Sequence, residues 1–377
     1  MFDTLLLLGI FISLLAGQFA RIELINALAN VYIHEFLLFI FIIKSLIKNG
    51  ITPITRMVKS RTVLFLFVLF GGSFIFSINE FTVLQNGISF LYILRIMLYV
   101  VFGIYLFATM KRDKNMRVIL FTFIYSFSIL LLIITAIQYI FFPNFWGLYA
   151  FGWDPHLYRA SGIYLDVFIA AALYGLLALF WYIKKHMVLS LFFVIALILS
   201  FSRSAYIAFV VSIIYLFITQ KKGKELFISL SLFALCVILI PKPFGEGGNL
   251  MRTSSIKSRM LDYTLGLTLW QKKPILGFGY NRIRFAKEHH MLIAQDDRSH
   301  SLASFHSSFL IILVTTGIVG LLSSIYLLGK LFVKYPQLRV YFVYILTMSL
   351  FDNVLLHALV LLPFIFLATH ITQSSLE

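Results

Sequence analysis

The stretch LSFSRSAYIAFV, residues 199–210, places Arg203 between two serines, with a short apolar run on either side. An arginine at the centre of a bilayer costs at least a few kcal/mol, so such a residue normally has a function or lies at an interface. If Arg203 marks a tight turn, the apolar region 187–220 forms two membrane helices rather than one. This stretch therefore decides both the number of helices and the side of the membrane on which Arg203 lies.

The composition is that of a polytopic membrane protein. Of the 377 residues, 61% are hydrophobic and only 12% are charged, whereas soluble domains have about 25% charged residues. The net charge of +16 would suit a nucleic-acid partner only if the basic residues gathered on one soluble face. They are dispersed along the chain, so we expect no nucleic-acid partner.

Two further features concern processing and covalent links. The first apolar stretch follows Asp3 and no basic residue, unlike a cleaved signal peptide, which has a positive n-region. We therefore expect a retained first helix. Cys236 is the single cysteine, so an intrachain disulfide is impossible.

Apolar runs predict an all-α integral membrane protein with about twelve transmembrane helices. Several runs are shorter than the roughly twenty residues that a full span needs. The pairs within 187–220 and 338–371 are the ones whose count could change. The predicted helices cover residues 4–17, 31–48, 62–78, 87–108, 117–142, 163–183, 187–201, 204–220, 225–241, 306–330, 338–355 and 357–371.

The basic residues of the short loops predict the orientation, because cytoplasmic loops carry an excess of Lys and Arg. Alternate loops hold more than half of the 31 basic residues. The intervening short loops contain only Arg21, Arg159 and Arg203. Both termini then lie in the cytoplasm. The basic loops are 44–61, 111–117, 184–185, 221–224 and 330–339.

The alternation places the one long polar segment, residues 242–305, outside the membrane. Long translocated loops are largely exempt from the charge rule, so their basic residues do not oppose this orientation. No internal repeat or low-complexity linker is present. We expect a single membrane domain over 1–377 with this one external loop, whose basic character calls for an anionic partner.

Arg203 and the segment KSRMLDYTLGLTLWQKKPILGFGY, 257–280, supply candidates on this outer side. Arg203 either extends to lipid phosphates or belongs to a site; its outer position and the lack of other charge nearby in the sequence favour a site. Arg259, Tyr263, Leu267 and Trp270 recur at helical spacing and predict an amphipathic helix on the membrane surface, or a lid packed on the bundle. Arg259 would lie in the first turn, where a cation opposes the helix dipole unless an anion is bound.

Further candidates lie in three other outer segments. His306, where the chain re-enters the membrane, can titrate near neutral pH, and His300 is its competitor. Arg159 and Asp154 lie in the aromatic loop 143–162. Asp352 and Asn353 form either an inert turn or part of a pocket wall.

Arginines that converge without a metal suit the binding and departure of a diphosphate. Guanidinium groups bind phosphate oxygens bidentately and stay charged, and fixed cations stabilise the charge of a leaving diphosphate. A nearby histidine can take the proton of an acceptor hydroxyl. The adjacent acidic residues Asp296 and Asp297 lie in a basic loop, so no metal site and no cofactor are expected.

LSFSRSAYIAFV, SRMLDYTLGLTLWQKKPILGFGY and HSSFLIILVTTGIVGLL, in this order, resemble the O-antigen ligase and O-antigen polymerase superfamily of bacterial envelope glycan assembly. RASGIYLDVFIAAALYG, 159–175, is similar to a further segment of that family. The resemblance covers roughly 159–322, and the N-terminal third resembles the family only in hydropathy and helix count. One departure is Ser307, since the family commonly has Asn after the histidine.

The resemblance implies a GT-C-like helix bundle that transfers a glycan from undecaprenyl diphosphate to an acceptor sugar, with inversion and without a metal, outside the inner membrane. Arg203 and Arg259 would hold the diphosphate, and His306 would be the general base or orient the acceptor. Membrane lipids and a glycan or lipid-linked acceptor are the remaining partners. The substrate-binding candidates are Arg159, Tyr263, Trp270, His300 and Arg252.

Three functions remain open at this point. A polymerase would join lipid-linked repeat units, and a ligase would move the finished glycan onto lipid A core or another acceptor; both need the same donor pocket. A flippase for the same lipid-linked sugar would place ionisable groups near the midplane, where the chain offers Arg95, His34 and Glu35. A pairing of Arg95 with Glu35 is expected.

Overall fold

The computed structural model describes residues 2–25, 28–58, 61–151, 156–241, 248–250, 253–292 and 304–374. Fifteen helices and one short hairpin make up the described part of the chain. The helices are α1 Phe2–Ala16, α2 Ile33–Asn49, α3 Thr52–Val58, α4 Arg61–Phe76, α5 Val83–Arg112, α6 Lys114–Phe141, α7 Val167–Ile183, α8 Met187–Leu199, α9 Arg203–Thr219, α10 Gly223–Leu239, α11 Ser254–Lys272, α12 Ile283–His289, α13 Ser308–Lys334, α14 Arg339–Ser349 and α15 Ala358–Ser374; the strands are β1 Arg21–Leu24 and β2 Ala29–Tyr32.

All twelve apolar segments predicted from the sequence are helical in the described chain. Four helical segments are long and apolar enough to span a membrane: Phe2–Ala20, Val83–Arg112, Lys114–Phe141 and Ser308–Lys334. The shorter apolar helices include α7, α8, α9 and α15. The chain is therefore a helical membrane protein, while the number of twelve spans stays a prediction.

The structure is consistent with the predicted all-α class, and one short hairpin accompanies the helices in the described chain. β1 and β2 pair antiparallel, with Arg21 opposite Tyr32 and Leu24 opposite Ala29. This hairpin lies between α1 and α2, and its two strands pair their backbone N–H and C=O groups with each other. Backbone groups that water cannot reach need such partners.

Helix α7 occupies the centre of the bundle. Its residues from Ile169 to Trp181 are buried on every side, as expected of a helix that is apolar all round. It packs against α8, α9, α14 and α15. A second, smaller core lies between α11, α12 and α13, around Leu269, Phe285 and Leu310.

The expected turn at Arg203 is present between α8 and α9. Phe201 adopts a left-handed conformation with φ of 50°, and Arg203 is the first residue of α9. The Arg159 guanidinium donates to the carbonyl oxygens of Ser200 at 2.8 Å and Phe201 at 3.2 Å. Arg159 thereby satisfies carbonyls at the end of α8 and holds the turn that carries Arg203.

The glycine-containing stretch 274–279 inserts into a break in α13. Gly317 interrupts this helix with φ of 69°, so carbonyls and amides of its backbone turn outward. Phe278 N donates to Val314 O at 3.1 Å, Gly279 N to Thr315 O at 2.8 Å, and Ile318 N to Pro274 O at 2.8 Å. The segment that follows α11 is thus attached to α13 by main-chain hydrogen bonds.

Candidate active site

Arg259 lies one turn further into its helix than the sequence suggested. Because α11 begins at Ser254, Arg259 occupies the second turn, and the argument from the helix dipole was wrong. Its Nη2 forms an ion pair of 2.8 Å with Oδ1 of Asp352. Asp352 is 3% exposed, so this carboxylate holds the Arg259 side chain in a fixed place.

Asp352 also connects Arg259 to the turn at Arg203. The Ser204 hydroxyl donates to Oδ2 of Asp352, while Arg203 Nη1 donates to the Leu250 carbonyl at 3.2 Å. Asp352 thus links α11, through Arg259, to the first turn of α9, through Ser204, the residue after Arg203. The charges beside the Arg203 turn therefore come from residues distant in sequence, Arg259 and Asp352.

His306 forms a pair with Asp262 of α11. The His306 Nδ1–H donates to Oδ2 of Asp262, and the His306 backbone N–H donates to the same oxygen at 3.2 Å. This hydrogen bond raises the pKa of the imidazole above its ordinary value, although burial opposes it. With Nδ1 as donor, Nε2 is the ring nitrogen that can accept a proton.

The His306 pair and the arginine pair belong to one electrostatic cluster. The charge of Asp352 raises the pKa of His306, and the charge of Arg259 lowers it. The Ser308 hydroxyl, at the start of α13, donates to the Asp352 carbonyl at 3.4 Å and to Oδ1 of Asn353 at 3.3 Å. His306 precedes α13, which begins at Ser308, rather than opening it as predicted.

Two buried cations beside this cluster were missed in the sequence. Lys287, 1% exposed, donates from Nζ to the Ser304 carbonyl at 3.1 Å. Burial lowers the pKa of Lys287 to about 8, although Asp262 raises it and Arg284 lowers it further. Lys287 and Arg284 are separated by three positions on α12, and that spacing was the available signal. They add positive charge next to Asp262.

Asp262 was missed for a different reason. The sequence pattern grouped Arg259, Tyr263, Leu267 and Trp270 as one face of an amphipathic helix or a lid, and Asp262 is not in that group. In the structure Leu267 is 42% exposed and Tyr263 37% exposed. Gly266 meets α13, because a Cβ there would lie 2.7 Å from the Leu310 side chain, and Asp262, one turn earlier, meets His306 just before α13.

Tyr263 and Trp270, two further described candidates, donate hydrogen bonds to backbone carbonyls. The Tyr263 hydroxyl donates to the Leu350 carbonyl, and Trp270 Nε1 donates to the Pro274 carbonyl at 3.0 Å. These contacts attach α11 to the turn before Asp352 and to the inserted stretch. His300, Arg252, Asp154, Asp296 and Asp297 lie outside the described residues.

Two further expectations concern Glu35 and metals. Arg95 Nε forms an ion pair of 2.6 Å with Oε1 of Glu35, so the pairing expected from the sequence is confirmed. Among the described residues, no group of three or more His, Cys, Asp and Glu side chains is arranged to hold a metal ion.

The described chain is thus a helical membrane protein in which α11 brings a histidine–carboxylate pair near two arginines. Residues 188–325 match the family model of O-antigen ligase. This match confirms the resemblance seen in the motifs, and it includes Arg203, Arg259, Asp262, Lys287 and His306. It does not reach the N-terminal helices or Asp352. No curated protein matches the chain significantly.

Proposed function

We propose that this protein is a metal-independent inverting glycosyltransferase that uses undecaprenyl-diphosphate-linked saccharide as donor and polymerises repeat units of an envelope polysaccharide. The observation that carries this proposal is the cluster in which Arg203, Arg259 and the His306–Asp262 pair come together around Asp352. The family match to O-antigen ligase supports the same class of reaction.

In the proposed reaction, Arg203 and Arg259 hold the diphosphate. The acceptor hydroxyl oxygen forms a bond to the anomeric carbon of the donor while the bond from that carbon to the diphosphate oxygen breaks. Attack from the opposite face inverts the anomeric configuration. The hydroxyl proton passes to Nε2 of His306, and the leaving diphosphate takes the electron pair of the broken bond, with its growing charge stabilised by the guanidinium groups.

Asp262 and Asp352 would act as positioning residues. Asp262 keeps Nδ1 of His306 protonated and so leaves Nε2 to serve as base. Asp352 neutralises part of the Arg259 charge before a diphosphate arrives, which lowers the cost of holding two like charges close together. Arg159 would hold the turn before Arg203 through its hydrogen bonds to the carbonyls of Ser200 and Phe201.

The location follows from the same proposal. The protein would lie in the bacterial inner membrane, with this cluster facing the periplasm, both termini in the cytoplasm and residues 242–305 as an external loop of one membrane domain. Its partners would be membrane lipids, the lipid-linked donor and a glycan or lipid-linked acceptor.

Purified protein supplied with a lipid diphosphate oligosaccharide tests the proposal. A polymerase forms a ladder of products without a second acceptor. A ligase is the second candidate, because the matching family model is that of O-antigen ligase. A single product that forms only when lipid A core is added would replace the polymerase with the ligase.

Substitutions at the cluster test the residues. We expect Arg203→Ala, Arg259→Ala and His306→Ala each to lower the transfer rate by roughly 100-fold or more, with folded protein in the membrane. Arg203→Lys should recover little activity, because an ammonium cannot bind phosphate bidentately. Arg112→Ala, at the predicted cytoplasmic end of α5, is the matched control and should keep full activity.

The same variants separate an enzyme from a flippase. If Arg203→Ala leaves transfer intact and blocks movement of the lipid-linked sugar in vesicles, the glycosyltransferase proposal fails. A chelator should leave the transfer rate unchanged, and a loss of activity restored by a divalent cation would contradict the metal-independent mechanism.

A further inference from the structure

A cavity of about 260 Å³, lined by both polar and apolar side chains, opens beside the candidate active site. The hairpin, α5, the segment 280–283, and the turn before α15 form its walls. Its volume lies just below the roughly 300–1,000 Å³ of pockets for drug-sized ligands. The cavity is thus large enough for a small ring and too small for a long glycan or a lipid chain.

The walls combine amides with tyrosine rings. Gln18, Asn30, Asn281 and Asn353 line the cavity and offer both donors and acceptors. Tyr32, Tyr92, Tyr99 and Tyr280 also line it. Amides that hydrogen-bond hydroxyl groups, next to aromatic rings that cover C–H faces, suit a sugar better than a lipid tail or an ion. These four amides and four rings come from segments far apart in the sequence.

The charges of the lining disfavour a diphosphate. Arg95 already pairs with Glu35 at 2.6 Å, and Arg21 pairs with Glu23. Asp166, which lines the cavity as well, adds a further negative charge. An anion would meet cations whose charge is already balanced, so the cavity suits a neutral ligand.

One buried acceptor in the lining has no hydrogen-bond partner in the described chain. This atom is Oδ1 of Asn30, whose backbone carbonyl accepts from Arg95 and whose backbone N–H donates to the Tyr92 hydroxyl at 3.3 Å. A buried amide oxygen without a donor costs about 1–3 kcal/mol. A ligand hydroxyl that donates to this oxygen would remove that cost.

The cavity adjoins the proposed reaction centre. Asn353 lines it and accepts from Ser308 at 3.3 Å, while its neighbour Asp352 pairs with Arg259. Ser304, two residues before His306, lines it too. A ring bound here would lie beside the cluster that carries the proposed chemistry.

From these contacts we infer that the cavity is a binding site for one neutral pyranose ring of a glycan substrate, separate from the arginines that would hold the diphosphate. The inference rests on the proposed function only for the statement that the ring belongs to a substrate. The binding of a neutral sugar can be measured without any transfer.

The test uses the full-length protein in lipid nanodiscs and two sets of small ligands. Saturation-transfer NMR measures binding of the methyl glycosides of glucose, galactose, mannose and N-acetylglucosamine, and calorimetry measures binding of inorganic pyrophosphate. We expect at least one glycoside to bind. Asn30→Leu should weaken it roughly tenfold and leave pyrophosphate binding unchanged. Arg259→Ala should do the reverse.

Asn30→Leu is suited to this test because it removes an unpaired buried oxygen with little change in size, so it should not destabilise the fold. Ala358→Leu, which narrows the cavity without removing a polar group, is the second variant and should also weaken glycoside binding. Asn115→Leu, on an exposed site at the start of α6, is the matched control. Equal glycoside binding by wild type and both cavity variants, or none by wild type, would overturn the inference.

Transfer assays then identify the source of the ring. A bound glycoside that is itself extended by the donor saccharide occupies an acceptor position. One that competes with the lipid diphosphate donor and is never extended occupies the position of a donor sugar. Glycoside binding without any transfer activity would leave the sugar site standing and would contradict the proposed function alone.

Discussion

At the scale of single residues, the decisive feature is which carboxylate meets which cation. Asp262 and Asp352 each hold one group of the proposed chemistry, His306 and Arg259 respectively. Each carboxylate accepts hydrogen bonds and thereby fixes the position of one basic side chain. The reactive groups proposed here are thus held in place by charges of opposite sign rather than by the backbone alone.

Asp262→Asn tests the role of this carboxylate through the dependence of activity on pH. A general base must be neutral, so transfer should rise with pH through the pKa of His306, which Asp262 raises above its ordinary value. Without that charge the pKa should fall, and the rise should move to lower pH. The maximal rate should also drop by roughly 10- to 100-fold, because the tautomer of His306 is less well defined.

The measurement is the initial transfer rate of wild type and variant across pH 5 to 9 in the same nanodiscs. Asn115→Asp, an added carboxylate far along the chain, controls for general effects of charge and should leave the profile unmoved. If Asp262→Asn lowers the rate without moving the profile, Asp262 does not set the protonation of His306.

At the scale of elements, the inserted stretch 274–279 positions α11 against the bundle. A Cβ at Gly277 would lie 2.6 Å from Thr315 O and 2.6 Å from Thr316 N. Its φ of 67° is also unfavourable for any residue with a side chain. Backbone atoms cannot move aside as a flexible side chain can, so only glycine allows this contact.

Gly277→Ala should therefore separate the inserted stretch from α13. We expect a loss of at least about 2 kcal/mol in the free energy of unfolding, from backbone strain and the contact with Thr315. Transfer should be lost with it, since α11 carries Arg259 and Asp262. Thermal unfolding in detergent and the transfer assay measure the two effects.

Gly329→Ala is the matched control within α13. A Cβ there meets no atom within 4 Å, and alanine favours the helix, so this variant should be as stable as wild type or slightly more so. Equal unfolding temperatures for the two variants would show that the main-chain contacts of Gly277 contribute little.

At the scale of the whole molecule, the orientation in the membrane can be measured with single cysteines. Cys236→Ser gives a background without cysteine, because Cys236 is the only one. Tyr158→Cys, at an exposed position of the predicted outer loop, should react with an impermeant maleimide in spheroplasts. Asn115→Cys should react only after the membrane is permeabilised.

The labelling pattern has a clear contrary outcome. Labelling of Asn115→Cys and protection of Tyr158→Cys in sealed spheroplasts would place the proposed reaction centre in the cytoplasm and reverse the orientation. Protection of both positions, with labelling only in detergent, would show that the loops are covered and would also contradict the predicted topology.

The sequence by itself determined the helices, the turn at Arg203 and the candidates Arg203, Arg259 and His306. A helix depends on its own apolar run and on local signals at its ends, so all twelve predicted segments are helical in the described chain. The break between α8 and α9 followed from one charged residue in an apolar stretch. The pairing of Arg95 with Glu35 followed because buried charges need partners.

Only the tertiary structure decided which residues form the site. Asp262 and His306 are 44 residues apart, Arg259 and Asp352 are 93 apart, and Ser204 and Asp352 are 148 apart. No local periodicity specifies such contacts, because each one joins residues that lie on separate elements. The insertion of 274–279 into α13 positions α11, since main-chain hydrogen bonds join Phe278 and Gly279 to Val314 and Thr315.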